Sequence, residues 1–176
     1  MIKEEKIKWI IKQHNDTNHM YDTYLPYEFH LRMAVEVFKR HKNILPLSLN
    51  DELVIELACW GHDLIEDTRV TYNNVKDQLG ENAAEIIRAV TNLGRGRTRD
   101  ERMPDFVYED IRNTPGATFV KLCDRIANVQ YGKMMGSSMF TGYQNENKHF
   151  LTKLDVINMD TIYNPMVHEL NELLIS

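Results

Sequence analysis

The sequence predicts an all-α fold, and three observations carry that expectation. Apolar residues recur at helical spacing in segment after segment. No stretch alternates polar and apolar residues over the length of a half-buried strand. Proline, glycine and short polar side chains stand where helices would begin and end. The 176 residues make up one domain's usual length, enough to bury a sizeable core. A hydrophobic share of 43% and a charged share of 27% are those of an ordinary soluble globular protein, which points to a helical bundle rather than a fibrous or disordered chain.

Taken in order, Ile7, Ile10 and Ile11 give residues 1–13 a short apolar stripe. Residues 14–25 are polar and turn-rich. Pro26 suits the first position of a second helix, where its missing N–H costs nothing. That helix, 27–42, carries His30, Met33, Ala34, Val37, Phe38 and His41 at helical spacing. After a loop broken by Pro46, the side chain of Asn50 suits an N-cap, and Leu53, Leu57, Ala58 and Leu64 form the stripe of a helix continuous through 53–67. Thr71 caps a short helix that ends at Gly80, and Ala83, Ile86, Ile87 and Val90 form the stripe of the next, to about residue 93. The arginine-rich segment 94–103 interrupts the series, and Pro104 starts a helix running to 112. Val120, Cys123, Ile126 and Ala127 make the buried face of 117–133. Two more helices follow, 143–157 and 164–174, the last capped by Asn164 with Pro165 behind it. Met134, Met135 and Met139 are expected to serve core or loop packing.

The net charge of −5 gives no basic surface for general nucleic-acid binding. No apolar stretch approaches the ~20 residues that span a bilayer, and the N-terminus lacks the apolar core and cleavage site of a signal peptide. Cys59 and Cys123, in no metal-ligand spacing, read as reduced core cysteines and fit a cytoplasmic location. The oligomeric state is left open by the sequence.

Chemistry concentrates at the end of 53–67, where His62, Asp63, Glu66 and Asp67 follow almost back to back. On a continuous helix His62–Glu66, Asp63–Glu66 and Asp63–Asp67 each share a face. Such groups beside an apolar stripe are costly unless a metal or substrate uses them. The alternative is an acidic helix end with one histidine, which is itself unfavourable at a C-terminus lacking a cation. His30 on the second helix and Asp124 within 117–133 complete a set of candidate ligands, and Asn128 lies one turn beyond Asp124. Phosphate would need cations, and Arg95, Arg97, Arg99 and Arg102 are the obvious supply, unless that loop is merely solvated among Asp100 and Glu101. Arg32, Lys121 and Arg125 are further candidates, with surface solvation as the alternative. His14, His19, His41, His149 and His168 have no paired acid at ligand spacing, and most of them read as surface residues.

This series, a histidine, a His-Asp pair and an aspartate on three helices, resembles the HD-domain metal-dependent phosphohydrolases. It is most similar to the RelA/SpoT-type (p)ppGpp 3′-pyrophosphohydrolases. PYEFH at 26–30, GHDLIEDT at 61–68, VTNLGRG at 90–96 and VKLCDRIANV at 120–129 resemble that family's boxes in order. The similarity covers about 20–135. It implies a single HD domain over 1–176, with the helices of 140–174 packed on that core. It further implies a metal held by His30, His62, Asp63 and Asp124, with Mn2+ the usual ion and another divalent metal the alternative. Glu66 and Asp67 would be the catalytic pair that handles the water and the departing pyrophosphate. Asn128 would contact substrate near the ribose, with Tyr21, Arg95, Arg97, Lys121, Tyr143 and Lys148 as further substrate contacts. The chain departs from the family in one respect that bears on specificity: Tyr21 and Asp22 stand where the family has a guanine-reading Arg-Lys pair. The expected partner is a small nucleotide, with no nucleic acid and no membrane. Alternatives are an HD phosphatase acting on nucleotides such as 5′-monophosphates, or a non-catalytic nucleotide-binding regulator. A di-iron HD enzyme is disfavoured because no histidine lies between 64 and 123.

Overall fold

A computed structural model describes residues 2–45, 48–92, 99–158 and 161–175, with only the backbone of Leu49, Arg99 and Asp100. The order is α1 Lys3–Asp16, β1 Met20–Tyr21, β2 Leu25–Pro26, α2 Glu28–His41, α3 Leu49–Gly61, α4 Leu64–Asp67, α5 Tyr72–Leu79, α6 Glu81–Val90, α7 Arg99–Arg102, α8 Asp105–Asn113, α9 Ala117–Met135, α10 Ser138–Lys153 and α11 Asn164–Leu174. The architecture is all-α as expected. The two strands among the described residues form one two-residue antiparallel hairpin that pairs Met20 with Pro26 and Tyr21 with Leu25.

Helix α9 is the axis of the bundle, touching α2, α3, α6, α8, α10 and α11. Its sequence explains the position. Phe119, Leu122, Cys123, Ile126, Ala127 and Val129 are fully buried on one face, and the opposite face of Lys121, Asp124, Arg125 and Asn128 is buried or half-buried too, so the helix is covered nearly all round. Each fully buried Leu or Phe contributes about 1.5–3 kcal/mol. Lys121 and Arg125, candidates for solvated surface, are buried with it. Gly116 precedes α9 at φ 85, a conformation that L side chains rarely adopt, and a Cβ there would stand 2.2 Å from Ile55 Cδ1 of α3, so any other residue would strain the backbone and displace the Ile55 side chain. Gly136 ends it in the left-handed conformation.

Several boundaries differ from expectation. Ser48, not Asn50, caps α3: its Oγ accepts from Asp51 N while the Asp51 carboxylate accepts from Ser48 N, a reciprocal pairing that Asn50 lies too far along to make. The helix expected over 53–67 is broken into α3 and α4 by a turn at His62 and Asp63, where Asp63 sits at φ −102, ψ 4. Helix α10 begins at Ser138, with Ser137 Oγ accepting from Met139 N, and ends at Lys153. Tyr163, not Asn164, is the residue preceding α11, since Pro165 already occupies its first turn. Met134, Met135 and Met139 lie exposed where α9 turns into α10, outside the core.

Candidate metal centre

Three elements bring four side chains close together. His30 stands in the first turns of α2, His62 and Asp63 in the turn between α3 and α4, and Asp124 midway along α9. The Nε2 atoms of His30 and His62 are 3.1 Å apart. Asp124 Oδ1 lies 3.3 Å from the first and 3.5 Å from the second. Asp63 Oδ2 lies 2.9 Å from His62 Nε2 and 3.5 Å from His30 Nε2. Donors bound at ~2.1 Å to one ion stand about 3.0 Å apart at right angles and about 3.4 Å apart at tetrahedral angles. The spacing among His30, His62 and Asp124, whose ligand atoms all lie within 4.8 Å of one another, fits a single ion; Asp63 stands beside both imidazoles but outside that set of three.

The turn at His62 serves this aim. Its Nδ1 donates to the Cys59 carbonyl at 2.9 Å, which fixes the tautomer and turns the Nε2 lone pair into the site. His30 Nδ1 is buried with no partner among the described residues, so its ring is held by packing. The Tyr21 ring stacks on it at 4.9 Å and 14°. Electrostatics repeat the demand for a cation. Burial pulls both histidines down, yet Asp124 and Asp63 outweigh it and raise them. Burial likewise opposes the charges on Asp63 and Asp124, but the imidazoles hold both carboxyls well below their ordinary range. Two imidazoles and two carboxylates so arranged call for positive charge between them, which a divalent ion supplies to a mixed N/O donor set.

The surrounding cavity holds about 180 Å³. On one wall, α4 presents Glu66 and Asp67. Glu66 accepts from Asn92 N at 3.0 Å and from Asn92 Nδ2 at 2.8 Å, which fixes both its oxygens. Asp67 is pushed up to about 7 by burial first, then by Asp63 and Glu66. The Tyr27 hydroxyl spans the two aspartates, donating to Asp63 Oδ2 at 2.5 Å and lying 3.2 Å from Asp67 Oδ2. On the opposite wall, Asn128 Nδ2 donates to Asp124 Oδ1 and its Oδ1 accepts from Tyr21 at 2.9 Å. Lys121 Nζ reaches the Val90 carbonyl at 3.1 Å and Asp124 Oδ2 at 3.5 Å. Arg125 and Tyr143 complete that wall.

No protein-family model matches the chain. A stretch of 86 residues is 30% identical to a guanosine-3′,5′-bis(diphosphate) 3′-pyrophosphohydrolase of Aquifex aeolicus (strain VF5), covering 48% of this chain and 12% of that protein. The chain thus matches only a small part of this curated relative's length. A solved structure of a metazoan ortholog of SpoT, described as hydrolysing ppGpp and acting in starvation responses, matches at a TM-score of 0.71. It covers 97% of this chain and 92% of that one at 17% identity. The chain is therefore similar in part of its sequence to a SpoT-like hydrolase, and it shares the all-helical fold of the SpoT ortholog.

The remaining expected residues fall in different places. Tyr21 packs against the His30 ring instead of standing open, and Asp22 accepts from the Tyr131 hydroxyl at 2.5 Å. Neither offers an unengaged surface to a base. Tyr143 lines the cavity, but Lys148 is exposed and does not, being five residues on and rotated about 140° around α10. Arg95 and Arg97 lie outside the described residues, and Arg102 is exposed. His41, His149 and His168 are not buried, but His14 is completely so, a correction to its expected place at the surface. It stacks on Tyr27 at 4.6 Å and meets His19 Nδ1 at 3.3 Å, and burial lowers it to about 4. His19 is partly exposed, with Nε2 3.9 Å from Asp67 Oδ2. The residues that sequence reasoning passed over are Tyr27, which stands inside the quoted PYEFH box, and Asn92, whose one cue is its place in VTNLGRG.

Proposed function

We propose that this chain is a metal-dependent phosphohydrolase, folded as one HD domain, that removes the 3′-pyrophosphate from (p)ppGpp-type nucleotides. The observation that supports this reading is the grouping of His30, His62 and Asp124 at the spacing of one ion's ligands, with Asp63 beside both imidazoles and Glu66 and Asp67 on the adjoining wall. The similarity to a 3′-pyrophosphohydrolase supports the choice of bond. Mn2+ is the ion we assign, on the mixed imidazole and carboxylate donor set and the resemblance to the alarmone hydrolases.

Bound there, the ion would polarise a phosphoryl oxygen and lower the pKa of a water. The chain's own groups divide the proton work. Glu66, with both oxygens held by Asn92, stands ready to orient the attacking water and take its proton. Asp67, retaining a proton up to about pH 7, can give it to the ribose 3′-oxygen as the bond from that oxygen to phosphorus breaks. Asn128, anchored between Asp124 and Tyr21, holds the ribose edge. Tyr27 keeps Asp63 and Asp67 in register.

A second reading, hydrolysis of 5′-monophosphates, is favoured by one observation: Asp22 is tied to Tyr131 and Tyr21 to His30, so neither is left as a base reader among the described residues. The deciding experiment measures phosphate and pyrophosphate release with Mn2+ from guanosine and adenosine 3′-pyrophosphates and from nucleoside mono-, di- and triphosphates. Pyrophosphate released from 3′-pyrophosphorylated nucleotides, with base discrimination below about 10³-fold in kcat/KM, is the expected result. Activity confined to 5′-monophosphates would replace the proposal with the second reading.

A further inference from the structure

The cavity wall carries four carboxylates, Asp63, Glu66, Asp67 and Asp124, against two cations among the described residues, Lys121 and Arg125. The two signs are separated: the acids on α4 face the proton work, and both cations flank Asp124 on α9. Among the described residues, the positive charge that a polyanionic substrate's phosphates need lies on the α9 side. Lys121 is ill-suited to hold them. Its ammonium already serves the Val90 carbonyl and Asp124, and it is a point charge without a planar fork. Arg125 differs. Its guanidinium lies between the rings of Tyr143, at 4.8 Å, and Phe150, at 4.2 Å, both on α10. Two aromatic faces fix its plane and leave its edge for hydrogen bonding. That edge meets Glu146, also on α10, with Nη1 2.5 Å from Oε1. The arginine side chain is 4% exposed and the glutamate 26%, so Glu146 is the partner with a path to water.

From this arrangement we infer that Arg125 is the phosphate-binding cation of the cavity and that Glu146 is its resting counter-ion, displaced when phosphate oxygens take the same edge. This rests on the reading of the cavity as a phosphoester site and adds to it a recognition residue and a competitor built into α10. Glu146 keeps the buried guanidinium neutralised while no anion is bound, avoiding the cost of an unpaired buried charge. A phosphate oxygen offers the same charge-assisted bonds in a geometry arginine matches bidentately. The resting pair therefore reduces apparent affinity by the fraction of time that it is closed.

The test titrates inorganic pyrophosphate, by calorimetry, into wild type, Glu146→Gln and Arg125→Lys saturated with Mn2+, with the melting temperature of each recorded. Glu146→Gln is expected to bind about 10-fold more tightly, since the competitor is gone. Arg125→Lys is expected to bind about 10-fold more weakly, having lost the fork. If Glu146→Gln fails to fold, Glu146→Asp, with a shorter reach, should show a smaller tightening. Unchanged or weaker binding in a folded Glu146 variant overturns the inference and makes the pair a packing clamp between α9 and α10. Absence of pyrophosphate binding in wild type overturns it too. Wild-type hydrolysis of 3′-pyrophosphorylated nucleotides then tells whether the proposed function falls with it.

Discussion

At Asp67, burial and two neighbouring carboxylates act in the same direction, holding the proton until about pH 7. In the unfolded chain the same group ionises near its ordinary value of 3.8. The folded value is the higher one, so the stability it contributes is complete below about pH 4 and is lost as pH rises through about 7. Asp67→Asn keeps the neutral shape at every pH. The metal-free variant should therefore melt at the same temperature as wild type near pH 4 and higher at pH 8.5. The expected gain is about 1–2 kcal/mol, discounted for solvent screening at a side chain 30% exposed, or roughly 2–8 °C. Equal melting temperatures at pH 8.5 would mean that Asp67 ionises normally. Glu66 asks a different question, because Asn92 holds its two oxygens. Glu66→Gln should retain Mn2+, measured by metal analysis of the dialysed protein, while kcat falls by roughly 10²-fold or more, the scale of a lost general base. A normal kcat in that variant would move the base to Asp67.

Among the elements, α9 bears Asp124, Arg125 and Asn128, and its position depends on Gly116. That residue combines a φ of 85 with the 2.2 Å approach of Ile55 Cδ1 to any added Cβ. Gly116→Ala should cost about 2 kcal/mol or more, read by urea unfolding, through backbone strain and the clash together. A loss under about 0.5 kcal/mol would show that α9 does not rely on this close approach. Most helices were legible because their apolar residues and caps agree locally: Thr71 caps α5 through Asn74 N as its sequence predicts. What was not legible depended on partners far along the chain or on local hydrogen bonds that patterns do not encode. The break at His62 and Asp63 uses residues compatible with a helix, and the His62 bond to the Cys59 carbonyl is visible only in the turn. The burial of His14 arises from stacking on Tyr27, and Asp22 is spent on Tyr131, 109 residues away. The grouping of His30, His62 and Asp124 was legible only through the resemblance to a known family, since spacing alone joins His62 to Asp63 but not to His30 or Asp124.

Across the whole molecule, the site is where α2, the α3–α4 turn and α9 meet, so occupancy of the site and cohesion of the bundle are linked. An ion held by the proposed ligands His30, His62, Asp63 and Asp124 would add bonds made only in the folded state. Binding to the folded state alone stabilises by RT ln(1 + [L]/Kd), about 2.7 kcal/mol at 100 times Kd. For a chain of 176 residues that is roughly 5–10 °C in melting temperature. Wild type should gain this increment on adding Mn2+ to the chelator-treated protein, and the gain should grow with the logarithm of the ion concentration. Asp124→Ala removes a carboxylate that touches both imidazoles, so its own baseline will shift; the informative quantity is the increment caused by Mn2+, expected to fall below about 1 °C. An exposed acidic pair such as Asp105 and Glu109 serves as control: replacing both by asparagine and glutamine should leave the increment intact. If Asp124→Ala kept the full increment, the ion would be held elsewhere, and the three-element junction would owe its cohesion to packing alone.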